Sequence, residues 1–220
     1  MKLILLILSC INCTILFGQN IEFYGGVNNN VFHDNLQDVG HFQSTYKSGS
    51  GYSFGIAIDN IKIDSTIFRF TLQFDKYKGS IDVSDGGLAG GVMTKAEIDK
   101  SIISLGLFPI NLQILKRIDL NFGFEVSRLI SESYKGTNSG WSMKQHSWSY
   151  NLQERYNRFS TLIYFGLCVR LAYDLHIKES IIISPQYLFY YGISNEFIEF
   201  PEGTKSMRNF LGIGIEKKLR

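Results

Sequence analysis

The feature that most restricts this chain is a strict alternation of apolar and polar side chains, repeated along its length. Between Arg117 and Ser127, Ile118, Leu120, Phe122, Phe124 and Val126 take one parity. Arg117, Asp119, Asn121, Gly123, Glu125 and Ser127 take the other. A strand sends successive side chains to opposite faces, so this stretch has one greasy face and one charged, small-residue face. A helix would scatter the same residues around its circumference.

Seven other segments repeat the pattern, at 21–28, 51–59, 66–76, 96–108, 160–174, 180–193 and 209–219. Phe68, Phe70, Leu72 and Phe74 oppose Arg69, Thr71, Gln73 and Asp75 in the third, for example. No long helical pattern competes with them. Their connections read long, short, long, short, long, short, long. The long ones cover 29–49, the glycine-rich 78–94, 131–159 and 194–206. An eight-stranded antiparallel up-and-down barrel follows, and the alternation of loop lengths is that of a barrel crossing a membrane.

Size decides which face points inward. Eight strands enclose a space just wide enough for their side chains. The apolar faces carry Phe68, Phe70, Phe74, Phe122, Phe124, Phe165, Tyr187, Phe189 and Tyr191, too bulky to share it. The polar faces carry Gly26, Gly55, Gly106, Gly123, Gly166, Gly192, Gly212 and Gly214. Small residues suit the concave wall and bulky apolar ones suit lipid. Arg69, Asp75, Asp119, Glu125, Arg170 and Glu216 share the polar parity with both signs, and so pair within a narrow lumen. Two residues sit awkwardly. Pro185 takes apolar parity inside the seventh segment, which predicts a bulge or an early strand end there. Lys217 takes the lipid parity, at the headgroup level.

Met1-Lys2, an apolar run from Leu3 to Phe17 and the small or polar Gly18-Gln19 read as a cleavable signal peptide over 1–19. The barrel domain then occupies 20–220. Of 3 cysteines, Cys10 and Cys13 leave with the signal. Cys168 stays as a small buried side chain with no internal disulfide partner. A net charge of +2 offers no polyanion-binding surface, which excludes nucleic acid as a partner.

The strands resemble those of the outer membrane protein beta-barrel domain family, small eight-stranded barrels that include PorT-like proteins. The likeness rests on Gly51-Tyr52-Ser53-Phe54-Gly55, Leu120-Asn121-Phe122-Gly123, Tyr190-Tyr191-Gly192-Ile193-Ser194-Asn195 and Asn209-Phe210-Leu211-Gly212-Ile213-Gly214. It implies placement in the outer membrane of a Gram-negative cell and no shared catalytic residues. Such barrels often end in an aromatic residue, whereas this chain ends Lys217-Lys218-Leu219-Arg220.

Candidate chemistry is sparse. His33-Asp34 and His41 lie at the mouth of the first long loop, where acyltransferase barrels of the outer membrane place a histidine with polar partners. Asp82 and Asp85 stand near glycines but lack the ligand spacing of a calcium loop. Trp141, Trp148, Tyr150 and Tyr156, with Lys144, Arg155 and Arg158, form either a recognition surface for a glycan or protein or part of an interfacial aromatic girdle. The lumen charges read as a structural plug rather than a conduction path.

The chain is therefore read as a non-enzymatic barrel with long outer loops in a structural or recognition role, in a cell-envelope or secretion assembly. No catalytic, cofactor-binding or metal-binding residue is assigned, and no cofactor. Its expected partners are outer-membrane lipid and, through the outer loops, a protein or a glycan. Two readings compete: a secreted lipocalin-like binder, which needs the apolar faces inside, and a membrane-embedded acyltransferase-like enzyme.

Overall fold

A computed structural model describes residues 20–34, 41–63, 66–115, 117–144, 147–155, 159–198 and 203–218. The expected signal peptide, 1–19, and the last two residues lie outside these. Among the described residues there are ten strands: β1 (Asn20–His33), β2 (Phe42–Ile63), β3 (Thr66–Gly87), β4 (Gly90–Ile114), β5 (Ile118–Ser142), β6 (Trp148–Asn151), β7 (Ile163–Tyr173), β8 (Leu175–Lys178), β9 (Ile181–Gly192) and β10 (Lys205–Lys218). One short helical turn, α1 (Leu152–Arg155), follows β6.

Eight strands close a ring. Pairing runs β1-β2-β3-β4-β5-β7-β9-β10, and β10 returns to β1 from Asn20↔Lys218 to His33↔Lys205. All pairs are antiparallel. The two short strands are appendages, β6 on β5 and β8 on β9. Closure leaves no free edge, as a strand wall in lipid requires.

The facing follows the size argument. Phe122 and Phe124 are 37% and 46% exposed on the outside, with Phe23, Phe54, Phe70, Leu105, Phe165 and Leu211 also exposed. Glu22, Arg69, Asp75, Glu125, Arg170 and Arg208 are buried inside. This is a transmembrane β-barrel with an apolar belt, and a lipocalin-like interior is contradicted by the same facing. Glycines on the inner parity let neighbours approach. A Cβ on Gly123 would stand 2.3 Å from the Leu107 carbonyl oxygen and 2.8 Å from the Phe108 ring.

The strands run well past the belt on one side, through stretches expected as loops. The expected glycine-rich loop 78–94 is a continuous β3–β4 hairpin, paired down to Gly87↔Gly90. Ser131 to Ser142, also expected as loop, continues β5 against β4. Most of 42–49 pairs with β3. At about 3.3 Å per residue, the 25 residues of β4 far exceed the 9–11 or so needed to cross a bilayer.

Along this extension the chemistry of the two faces exchanges. On β3 the outward side chains are Phe70, Leu72 and Phe74, then Lys76, Lys78, Ser80 and Asp82. The inward ones are Arg69, Gln73 and Asp75, then Tyr77, Ile81 and Val83. Lipid outside demands polar inside; water outside demands the reverse. The exchange just beyond Phe74 marks the upper limit of the belt. Above it, Phe32, Ile81, Val83, Ile98, Tyr134, Leu152, Phe159 and Phe197 form a core of soluble-protein type. Two bulges reset parity here. One extra residue of β5 at Ile130 lies between Leu129↔Ile102 and Ser131↔Ser101, and another of β2 lies between Ser48 and Tyr52.

The bulge or early end expected at Pro185 falls elsewhere. β9 runs through Pro185 opposite Ile213 without a register shift. The neighbouring strand is the one interrupted: pairing to β9 passes from β7 at Ala172↔Gln186 to β8 at Leu175↔Ile183. Asp174, in the gap, donates its N–H to the Arg117 carbonyl at 2.7 Å. The missing proline donor is accommodated where its neighbour also stops pairing.

Candidate functional site

Two places concentrate polar chemistry, the lumen inside the belt and the far tip of the strand extension. In the lumen, Glu22 on β1 is the hub. Its carboxylate accepts from Arg69 at 2.7 Å, Arg170 at 3.1 Å and Gln186 at 2.9 Å. Arg69 also pairs with Asp59, and Arg170 donates to Asn121 at 2.9 Å. A second layer centres on Arg208, which donates to Asp75 at 2.9 Å and Glu125 at 2.5 Å. Its guanidinium lies 3.8 Å from the centre of the Tyr190 ring. A third layer, just above the belt, is the pair Lys100–Glu196 at 2.6 Å. The Lys100 ammonium also faces the rings of Phe32, Tyr164 and Phe197 at 5.4, 5.4 and 4.7 Å. Burial pushes this ammonium below the ordinary lysine value, against the opposing pull of Glu196.

These partners explain the lumen charges. Arg69, Asp75, Glu125 and Arg170 are each in an ion pair, and Glu216 accepts from Asn20 at 2.6 Å. Asp119 lies at the short-turn mouth, beside Asp174 and Arg170. The carboxylates of Glu22, Asp59 and Glu216 come within 4.8 Å of one another. Arg69 and Arg170 pair with Glu22, Arg69 with Asp59, and Asn20 donates to Glu216, so each carboxylate already has a donor from the protein itself. Sequence reasoning passed over Arg208 because it preceded the expected start of the last strand at 209; β10 begins at Lys205. Glu196 and Lys100 were missed for want of any local signal, since they meet only through the fold.

At the tip, β3, β4, β5 and β6 lie side by side. Gly91 pairs with Trp141 and Gly140 with Trp148. A Cβ on Gly140 would stand 2.4 Å from Cζ2 of Trp148, and one on Gly91 would stand 3.1 Å from the Trp141 indole nitrogen. The bare glycine backbone is therefore a seat for both indoles. Trp148 stacks on Tyr150 at 5.2 Å with 10° between planes, while Trp141 is 48% exposed. Both tryptophans line a cleft of about 660 Å³, reached by His41, Gln43, Ser84, Asp85, Ser139 and Ser149. That volume lies in the range of roughly 300–1,000 Å³ seen for small-ligand sites.

The candidate residues scatter. His33 ends β1 opposite Lys205, its ring 5.2 Å from that of Tyr191. Burial, then the charge of Lys205, lowers its imidazole below the ordinary value, and Asp34 partly opposes them. Asp34 accepts from the Tyr46 hydroxyl at 2.6 Å. His41 instead stands at the tip, its carbonyl accepting from Gly86 at 3.2 Å, well above Gly49 where β2 ceases to pair with β1. The two histidines do not form one site. Asp82 is outward on β3 and pairs with Lys95 at 3.0 Å, whereas Asp85 lines the cleft. Trp141 lies on β5 fifteen residues beyond Val126, roughly 50 Å of strand. Trp141 and Trp148 are thus removed from the interfacial girdle. Lys144 is exposed beside them; the Arg155 side chain, His146, Tyr156 and Arg158 lie outside the described residues.

No family model matches the chain, and no curated protein does. Several solved structures are similar in fold. Ail of Yersinia pestis aligns over 90% of this chain and 98% of its own, with 10% identity and a TM-score of 0.40. Neisserial surface protein A aligns over 90% and 96%, with 12% identity and a TM-score of 0.41. The outer membrane protease OmpT of Escherichia coli aligns over 92% and 97%, with 8% identity and a TM-score of 0.36. Fold likeness at this level transfers no activity. The barrel assignment rests on the closed strand ring of this chain itself.

Proposed function

We propose that the chain is a small, non-enzymatic outer-membrane barrel of a Gram-negative cell, PorT-like in kind and exported by the signal at 1–19. The barrel anchors a rigid strand stalk that carries recognition chemistry at its tip, in a cell-envelope or secretion assembly. One observation carries this reading: on a single continuous strand, β3, the outer face changes from Phe70, Leu72 and Phe74 to Lys76, Lys78 and Asp82 while the inner face changes the other way. A strand immersed partly in lipid and partly in water needs that exchange; a soluble barrel does not. The packed, ion-paired lumen supports an anchoring role over transport, and the scatter of His33 and His41 supports recognition over catalysis.

The test is fractionation of the host envelope followed by electrophoresis with and without boiling. The expected result is detergent-dependent extraction with the outer membrane and a heat-dependent change of mobility. Recovery in the soluble fraction, with one mobility at all temperatures, overturns the proposal. Labelling of intact cells with an impermeant amine reagent orients the stalk: Lys78 and Lys95 react if it points outward.

A further inference from the structure

We infer that the tip cleft binds a neutral glycan, by stacking a pyranose face on Trp141 and hydrogen-bonding its hydroxyls to Asp85, Gln43 and the surrounding serines. This deepens the recognition role proposed above and rests on it. Three observations converge. First, each indole lies against a bare glycine, Trp141 on Gly91 and Trp148 on Gly140, where a Cβ would crowd it. Packing that confines an aromatic plane lowers the ordering cost of binding. Second, the exposed indole of Trp141 lines a cleft whose other walls include Val92 and Met93 beside short polar side chains, Ser84, Ser139, Ser147 and Ser149. A sugar offers the same pairing of an apolar C–H face with a rim of hydroxyls, and aromatic planes edged by hydrogen-bonding groups match it. Third, the described residues that line the cleft include Asp85 and no lysine or arginine. Lys95, on the adjoining strand, is held by Asp82 at 3.0 Å. A sulfated or uronic-acid chain would find no cation among these lining residues, so the cleft favours a neutral chain.

The chain has only 2 tryptophans, and both are here, so intrinsic fluorescence reports on this cleft alone. The experiment uses the full chain folded in detergent, its fold checked by the heat-dependent mobility described above. It is titrated with maltohexaose and chitohexaose as neutral probes and a heparin hexasaccharide as the anionic one. The expected result is a saturable change in emission with at least one neutral probe and none with heparin. Trp141→Ala should weaken the response by about tenfold or more, as loss of a central aromatic anchor does. Gly91→Val, which leaves Trp141 in place chemically but unseats it, should weaken it as well, while Lys76→Ala at the base of the stalk should not. No saturable response to either neutral probe overturns the inference, as does a response equal in Trp141→Ala. A stronger response to heparin also overturns it. A crosslinked protein partner that Trp141→Ala releases, with both neutral probes silent, reassigns the cleft to protein. A chain that fails the mobility check fails the membrane reading instead, and the two failures are read separately.

Discussion

At the scale of single residues, the most informative contact is Lys100 with Glu196. Both side chains are almost wholly buried, and they join β4 to the segment between β9 and β10. The hydrogen bond and three aromatic faces offset the desolvation of the ammonium only while the carboxylate is there. Glu196→Gln should therefore destabilise the barrel by about 3–5 kcal/mol, the cost of leaving a buried charge unpaired. The double variant Lys100→Met with Glu196→Met should recover most of that loss, as replacement of a buried pair by apolar side chains commonly does. Urea midpoints in detergent, followed by gel mobility, measure both. A double variant no more stable than the single one contradicts this account. His33 gives a milder test. Its folded value lies below the ordinary one, so on acidification the unfolded chain takes up a proton first and stability falls as pH passes from the ordinary value to the lowered one. The residue is only partly buried and solvent screens the effect, so the stability change is small. The direct measurement is proton NMR of the imidazole. Lys205→Gln should move its titration upward, because it removes the second cause of the shift.

At the scale of elements, β5 holds both what was legible in the sequence and what was not. The alternation from Ile118 to Val126 has one facing in a ring this narrow, and Phe122 and Phe124 are on the outside. Adjacent residues should then fail for opposite reasons. Phe124→Lys puts a charge into lipid and should cost about 2–4 kcal/mol near the midplane. Gly123→Val puts a branched side chain where even one Cβ meets the Leu107 carbonyl oxygen at 2.3 Å, and should prevent assembly. Yield of heat-modifiable barrel on refolding into lipid vesicles separates them. The lysine variant should recover in short-chain detergent, where headgroup-like solvent reaches the belt, and the valine variant should not. Beyond Val126 the pattern becomes illegible for a physical reason. The extra residue at Ile130 reverses parity, so apolar Leu129 and Tyr134 both point inward although their numbers differ in parity. Small polar residues such as Ser131, Thr137 and Ser139 then look like loop, although each is paired. Ladder hydrogen bonds to a neighbouring strand, absent from any single-strand pattern, keep them extended. The same holds at the tip: Gly91 and Gly140 read as turn residues until Trp141 and Trp148 are laid beside them across the sheet.

At the scale of the whole molecule, the lumen is closed three times over. The Glu22 layer, the Arg208 layer and the Lys100–Glu196 layer follow one another along the axis, and the last is roofed by Phe32, Phe159 and Phe197. Eight strands leave room for little beyond such side chains. Each layer makes its ion pairs within itself, which makes their contributions to closure redundant. The purified barrel in a planar lipid bilayer should therefore give no stable conductance steps. Emptying one layer, by Asp75→Ala, Glu125→Ala and Arg208→Ala together, should still give none, because the Glu22 cluster below and the aromatic roof above remain. Adding Glu22→Ala, Arg69→Ala and Arg170→Ala, with Lys100→Ala, Glu196→Ala and Phe197→Ala in the third layer and its roof, should produce steps for the first time. Steady steps in the unaltered protein contradict a plugged anchor and require a continuous water path through the Glu22 layer. Steps after the first triple alone place the whole barrier at Arg208. Silence with heat-modifiable folding intact after all nine changes requires a barrier that these residues do not supply. The expected order of outcomes, closed, closed, then open, follows from the stacking of separately ion-paired layers in a barrel too narrow to bypass any of them.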